Sequence, residues 1–285
     1  MNALMGHWDR QETAEQMEAA TRLLMLARER FRGLGDLSNP KAGSVLALEN
    51  AATAFDPIGD QVTRHRARAT DSLEMLLDAM IDDERGTMSA RPMAMYALIR
   101  MSIEASGVAN WTLQSSRKAD RIFRSLQVAY VHLRELADLA DVVSADDRAC
   151  PYREFRAEKE LRLEGLKDAV AVLRQKELKG PPKLWQIMSS VSPTQRPREP
   201  HAVHSPYVVW KICSAFLHGS DHITRLLGDV RQLSTSEDGR SAEFEMTPSW
   251  QLLCSCVMVC VTELERLDER VRELGRRDYG GRTLA

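Results

Sequence analysis

Apolar side chains recur every three to four residues along most of this chain, which is the periodicity of helices with one buried face. In "DRQETAEQMEAATRLLMLARERF" the positions Met17, Ala20, Leu24 and Ala27 predict a helix from Asp9 to about Arg32, and "GLGDLSNPKAG" ends it. "SVLALENAATAF" predicts a shorter helix closed by "DPIGD", followed by a long one from Asp60 to about Asp83 that carries Leu73, Leu76, Leu77 and Met80. "ERGTMSARP" breaks the pattern, and Pro92 suits the first turn of the next helix, "MAMYALIRMSIEASGVANWTL".

Ser115 or Ser116 caps a further helix, whose stripe of Ile122, Leu126, Ala129, Leu133, Leu136 and Ala140 runs to about Val143. The alternating charges of Arg153 to Leu178 predict a helix with a largely solvated exterior. After "KGPPK" comes the short helix "LWQIMSSV", then a loop, "SPTQRPREPHAVHSP", whose prolines forbid helix. One helix is predicted from Pro206 to about Val230 and a last one from Ser249 to Arg277. Between them an Asp238-Gly239 turn separates two short runs, the pattern of a β-hairpin near residues 230–247. The expected fold is therefore all-α, a multi-helix bundle with that one hairpin. It is read as a single helical domain over 1–285, in which 1–56 form an N-terminal arm and 57–285 the main bundle.

Composition changes this picture little. With 44% apolar residues the chain can bury a sizeable core, and its formal charge of −2, from 39 basic and 41 acidic residues, argues against a dedicated duplex-binding protein. The longest apolar run, Leu252 to Val261, is far shorter than the roughly 20 residues a bilayer span requires. The N-terminus has no basic segment followed by an apolar one, so no signal peptide and a cytoplasmic location are expected. Cys254, Cys256 and Cys260, placed on one helix, cannot all face one metal and read as small buried hydrophobes; with no Glu-x2-His pair and no Gly-x4-Gly-Lys-Ser/Thr or Gly-x-Gly-x2-Gly loop in the chain, neither a metal nor a cofactor is expected.

Candidate chemistry is confined to two helices. In "VVWKICSAFLHGSDHITRL" the residues Lys211, Ser214, His218, His222 and Arg225 share one stripe at spacings of three or four, opposite Val209, Ile212, Phe216, Ile223 and Leu227. The plain alternative is that this stripe merely faces water. Arg100 and Glu104 lie at i,i+4 among apolar and small residues, where they form either a structural ion pair or part of a site.

The patterns Arg-x3-Glu in "LIRMSIEAS", Arg-x2-Arg in "RIFR" (Arg121, Arg124) and Ser-x3-His-Gly in "WKICSAFLHG" resemble those of an uncharacterised group of bacterial all-helical proteins, over roughly Pro92 to Leu274. More distantly the chain is similar to HEPN-type ribonucleases, whose active helix carries Arg-x4-6-His and whose homodimer brings two such helices together. Here lysine stands in the arginine position, as Lys211-x6-His218. Lysine cannot grip a phosphate in the bidentate way arginine can.

The resemblance implies metal-free RNA cleavage, of a toxin or phage-defence kind. A ribose 2′-hydroxyl would attack the neighbouring phosphate, with His218 as general base or acid and Lys211 or Arg225 stabilising phosphoryl charge. Ser214 would position the phosphate or the imidazole, and Arg100 and Glu104 would orient the group. Arg225, His222, Arg121 and Arg124 would bind the substrate. The competing expectation is a non-catalytic helical interaction protein that binds a protein partner or a small apolar ligand. Thirteen methionines favour it, because their flexible thioethers suit adaptable surfaces.

Overall fold

The computed structural model describes residues 11–54, 56–143, 161, 165, 180–192, 205–235 and 242–278. The expected helix over 153–178, most of the Pro-rich loop, the Asp238-Gly239 turn and the C-terminal tail lie outside or almost outside these residues. In chain order the described elements are α1 (Ala14–Arg32), α2 (Val45–Ala52), α3 (Ile58–Met80), β1 (Ile81–Asp82), β2 (Thr87–Met88), α4 (Pro92–Leu113) and α5 (Lys118–Val143). They continue with α6 (Leu184–Val191), α7 (Pro206–Leu217), α8 (Asp221–Leu227), β3 (Gly228–Thr235), β4 (Ala242–Pro248) and α9 (Trp250–Arg276). The protein is mostly helical with two small antiparallel sheets.

The hairpin expected near 230–247 is present as β3 paired with β4, from Gly228 opposite Pro248 to Thr235 opposite Ala242, with an irregularity between Gln232 and Ser234. A second pair, Ile81 opposite Met88 and Asp82 opposite Thr87, corrects the expectation of a single hairpin. Its cause is local. The Asp82 carboxylate accepts the backbone N–H groups of Glu84 (3.1 Å) and Arg85 (3.0 Å), and Gly86 takes φ +62°, so "DDERG" closes a tight turn instead of a loose break.

The chain divides into two compact units. The first comprises residues 1–37, 65–110 and 188–269. Its core includes Leu24 of α1, Leu73, Leu76 and Met80 of α3, Tyr96, Ile99 and Ile103 of α4, Phe216 of α7, and Leu253, Val257 and Leu264 of α9, all buried. Within this unit α9 is clamped by polar groups as well as by packing. Arg66 of α3 donates to both oxygens of the buried Asp268 (2.6 and 2.8 Å), Arg30 of α1 forms a forked pair with Glu265, and Asn110 of α4 donates to Glu263.

The Glu12 carboxylate, just ahead of α1, supplies the N-terminal cap of α9. It accepts the Trp250 N–H (3.0 Å), the Gln251 N–H (2.9 Å) and the Ser249 hydroxyl (2.5 Å). A negative charge on unsatisfied amides at a helix start is favourable by both hydrogen bonding and the helix dipole.

The second unit comprises residues 38–64, 111–187 and 270–285. Ile122, Leu126, Ala129 and Leu133 of α5 form a buried stripe with Phe123 and Tyr130 packed on it. The Glu49 side chain of α2 is wholly buried and receives a fork from Arg121 of α5, through Nε at 3.0 Å and through Nη2. Among the described residues no helix is long and apolar enough to cross a membrane.

Candidate functional site

Local sequence determines where α7 begins and ends. Ser205 takes the cap position, its hydroxyl accepting the Val208 N–H, and Pro206 follows in the first turn. At the other end Gly219 adopts φ +66°, the left-handed region that suits glycine, and the Ser220 N–H reaches back to the Ala215 carbonyl at 3.0 Å. The Gly219 N–H bonds to the Phe216 carbonyl at 3.1 Å, which completes a helix-terminating motif of the Schellman type. The continuous helix expected from Pro206 to about Val230 is therefore two helices and a strand. Lys211 and Ser214 lie on α7, His218 is its C-cap residue, and His222 and Arg225 are exposed on α8.

Within the first unit, α4 and α7 meet face to face. The rings of Tyr96 and Phe216 stack with centroids 4.0 Å apart and planes 10° from parallel. Further along, a single carboxylate oxygen, Glu104 Oε1, accepts both the Arg100 Nε–H at 2.7 Å and the Trp210 indole N–H at 2.7 Å. Residue numbers fall along α4 from 104 to 96 while they rise along α7 from 210 to 216, so the two helices run antiparallel. Arg100 and Glu104 are half-buried, and the ion pair is reinforced by a neutral donor that leaves the shared oxygen doubly bonded.

Cations gather around the indole. The Arg100 guanidinium carbon lies 5.9 Å from the Trp210 ring centroid, and Lys211 Nζ lies 5.8 Å from the rings of both Trp210 and Tyr207. These distances fall within the range of cation–π attraction. Lys211 itself is exposed, so its ammonium sits over two half-buried rings with water on its other side.

The structure thus brings Arg100, Glu104 and Lys211 together around Trp210, and it does not add His218 to them. Trp210 and His218 are eight residues apart on one helix, about 12 Å along its axis at 1.5 Å per residue. The His218 side chain is exposed, and the Ser214 hydroxyl donates to the Trp210 carbonyl at 2.8 Å.

Arg121 and Arg124 belong to the second unit, and each is engaged by protein groups. Arg121 is 3% exposed and donates to Glu49 and to the Ser115 carbonyl (2.6 Å). Arg124 donates to the Trp111 carbonyl with its guanidinium carbon 5.0 Å from that ring centroid, and burial pushes its pKa down.

Two polar groups escaped the sequence reading. Trp210 was not among the candidate residues, yet its indole N–H, with Arg100, holds Glu104. Glu263 is 4% exposed, and burial pushes its carboxyl up to about 6, against the opposing pull of Arg266 and the amide of Asn110. Its signal was the lone Asn110 in "GVANW", a polar side chain that a buried helix face must satisfy.

Cys213, Cys254, Cys256 and Cys260 are buried free thiols, in line with the reading of the last three as small hydrophobes. Burial pushes all four upward in pKa, Cys254 and Cys256 to about 12. Among the described residues no group of three His, Cys, Asp or Glu side chains is arranged to hold a metal ion.

A different residue type stands out by exposure. Ten methionines have side chains that are described. Six of them, Met17, Met25, Met75, Met88, Met93 and Met101, are between 38% and 63% exposed, and all six belong to the first unit. On α1, Thr21, Met25 and Leu26 line an open groove of about 520 Å³ that is edged by Arg22, Arg28, Glu29 and Arg32. No protein-family model, curated protein or solved structure matches this chain.

Proposed function

We propose that this chain is a non-catalytic helical interaction protein whose first unit docks a protein partner through the methionine-bearing face of α1. The observation that carries this reading is the exposure of six methionines, a residue type ordinarily found in cores, of which Met17 and Met25 lie on α1. Unbranched thioethers on a surface suit a partner whose apolar face must be accommodated by adjustment. The groove at Met25 and Leu26 indicates the partner's chemistry. The lining carries three arginines against one carboxylate, Glu29; Arg22 pairs with Glu18 and both Arg28 and Arg32 with Asp83, but the Arg22 and Arg32 pairs are exposed and weak, so a partner's carboxylates can exchange into them. An amphipathic helical segment with an apolar stripe edged by acidic residues fits that pattern.

The α4–α7 cluster supports this reading from the other side. Glu104, Arg100 and Trp210 satisfy one another, and the imidazole proposed for acid–base work stands about two helical turns from them. The ribonuclease reading retains one supporting feature, an exposed His218 on the same helix as an exposed Lys211.

One experiment separates the two. Binding of two synthetic helical peptides with the same leucine stripe, one edged by glutamates and one by lysines, is measured by fluorescence anisotropy. RNA integrity is followed in parallel. The glutamate-edged peptide is expected to bind the wild type and to be lost by the Met25→Glu/Leu26→Glu variant, with RNA intact throughout. Equal binding of both peptides, or of wild type and variant, refutes the docking face. RNA cleavage by the wild type that His218→Ala abolishes establishes the ribonuclease instead.

A further inference from the structure

We infer that Met25 is an oxidation site whose conversion to the sulfoxide by hydrogen peroxide closes the α1 groove to its partner. The inference rests on the docking reading above, and it adds a chemistry that regulates the same surface.

Burial divides the described sulfur atoms into shielded and accessible ones. The four described cysteines are buried, and their pKa values are pushed up by burial, so at neutral pH they are protonated, shielded and poor nucleophiles toward a peroxide. Met80, Met95 and Met188 are at most 1% exposed, and the Met258 thioether accepts a hydrogen bond from Arg30 at 3.0 Å. Met25, by contrast, is 41% exposed on the outer face of α1. Among the described residues it is the methionine that lines the groove, and its neighbour there, Leu26, cannot be oxidised in this way.

The step balances without any group beyond the peroxide. A sulfur lone pair attacks one peroxide oxygen, the S–O bond forms as the O–O bond breaks, and the departing hydroxide takes up the proton released to give water. Sulfur loses two electrons and the peroxide gains them. The product is polar at the position where the partner's apolar stripe must sit, so burying it costs hydrogen bonds to water. The Arg22 and Arg32 rim is unchanged, which leaves electrostatic attraction without the apolar contact.

The test uses the full chain, the glutamate-edged peptide as probe, and the Met25→Leu variant, which keeps an apolar side chain of similar volume that peroxide does not attack. Samples are compared before peroxide treatment, after it, and after repair by methionine sulfoxide reductases, with oxidised positions mapped by mass spectrometry and helicity followed by circular dichroism. Wild type is expected to gain an oxygen at Met25, alongside the other exposed methionines Met17, Met75, Met88, Met93 and Met101, and none at Met80, Met95 or Met188. It should lose about ten-fold or more in peptide affinity at unchanged helicity, and recover on repair.

Met25→Leu is expected to bind the peptide equally before and after treatment. Equal loss by Met25→Leu overturns the assignment to Met25. Oxidation at Met25 with unchanged binding overturns the switch and leaves the docking face standing, whereas an untreated wild type that ignores the peptide removes the docking face and the switch together.

Discussion

Replacing Arg121 with alanine distinguishes a structural guanidinium from a substrate-binding one, two roles with opposite signatures. Glu49 and Arg121 have side chains 0% and 4% exposed, joined by a fork, and Arg121 makes a further bond to the Ser115 carbonyl. Removing the guanidinium leaves a carboxylate in a site closed to water, and breaking a buried pair from one side costs about 3–5 kcal/mol. That is a large part of the roughly 5–15 kcal/mol by which domains are stable.

Arg121→Ala should therefore shift the urea midpoint strongly downward, and Glu49→Ala should do so comparably. The double variant should cost much less than the sum of the two, because the second substitution removes the charge that the first one stranded. Urea denaturation followed by circular dichroism on all four proteins closes the cycle. If Arg121→Ala unfolds within about 0.5 kcal/mol of wild type, the range of an ordinary surface substitution, the burial argument fails and a surface role for Arg121 returns.

Glu12→Ala should cost about 1–2 kcal/mol in the same assay, since three donors at the start of α9 lose their acceptor, while Glu12→Gln should retain part of that. A Glu12→Ala protein as stable as wild type would show that water replaces the cap at no cost. Glu263 has a carboxyl raised to about 6, so the folded state binds more protons than the unfolded state between about pH 4.5 and 6. Its contribution is therefore fully present below that window and is lost as pH rises through it.

Glu263→Gln, which stays neutral and keeps an acceptor for Asn110, should be more stable than wild type at pH 7 by about 2 kcal/mol and should lose that pH dependence. Equal pH profiles of the two proteins would contradict it. Gly219→Val should cost about 1–2 kcal/mol from backbone conformation alone, because no atom lies within 4 Å of an added Cβ while φ stays at +66°. A neutral substitution would mean that the α7 terminus re-forms in another conformation.

Helical periodicity carried most of the fold. Leu73, Leu76 and Met80 on α3, Ile99 and Ile103 on α4, and Ile122, Leu126 and Leu133 on α5 are buried as their spacing demanded, because a stripe at 3.6 residues per turn has one face to hide wherever its partner lies. The hairpin of β3 and β4 was legible from a different signal, the Asp238-Gly239 turn between two short runs. Turn chemistry was under-read. Gly219 carried the stop signal for α7, and "DDERG" carried a tight turn, but both are decided by the backbone conformation of one or two residues, which an apolar pattern spanning them conceals.

The candidate site was legible only within one helix. The Arg100–Glu104 pair follows from i,i+4 geometry, which the chain encodes locally. That Glu104 would be held by Trp210, Glu49 by Arg121 and the start of α9 by Glu12 depends on segments 72 to 238 residues apart meeting at particular heights and rotations. Nothing in a residue's own neighbourhood specifies such a meeting. The sequence by itself determined which faces had to be covered. Tertiary packing alone chose which charged groups would cover one another, because a buried ion needs a partner but accepts one from any element that reaches it.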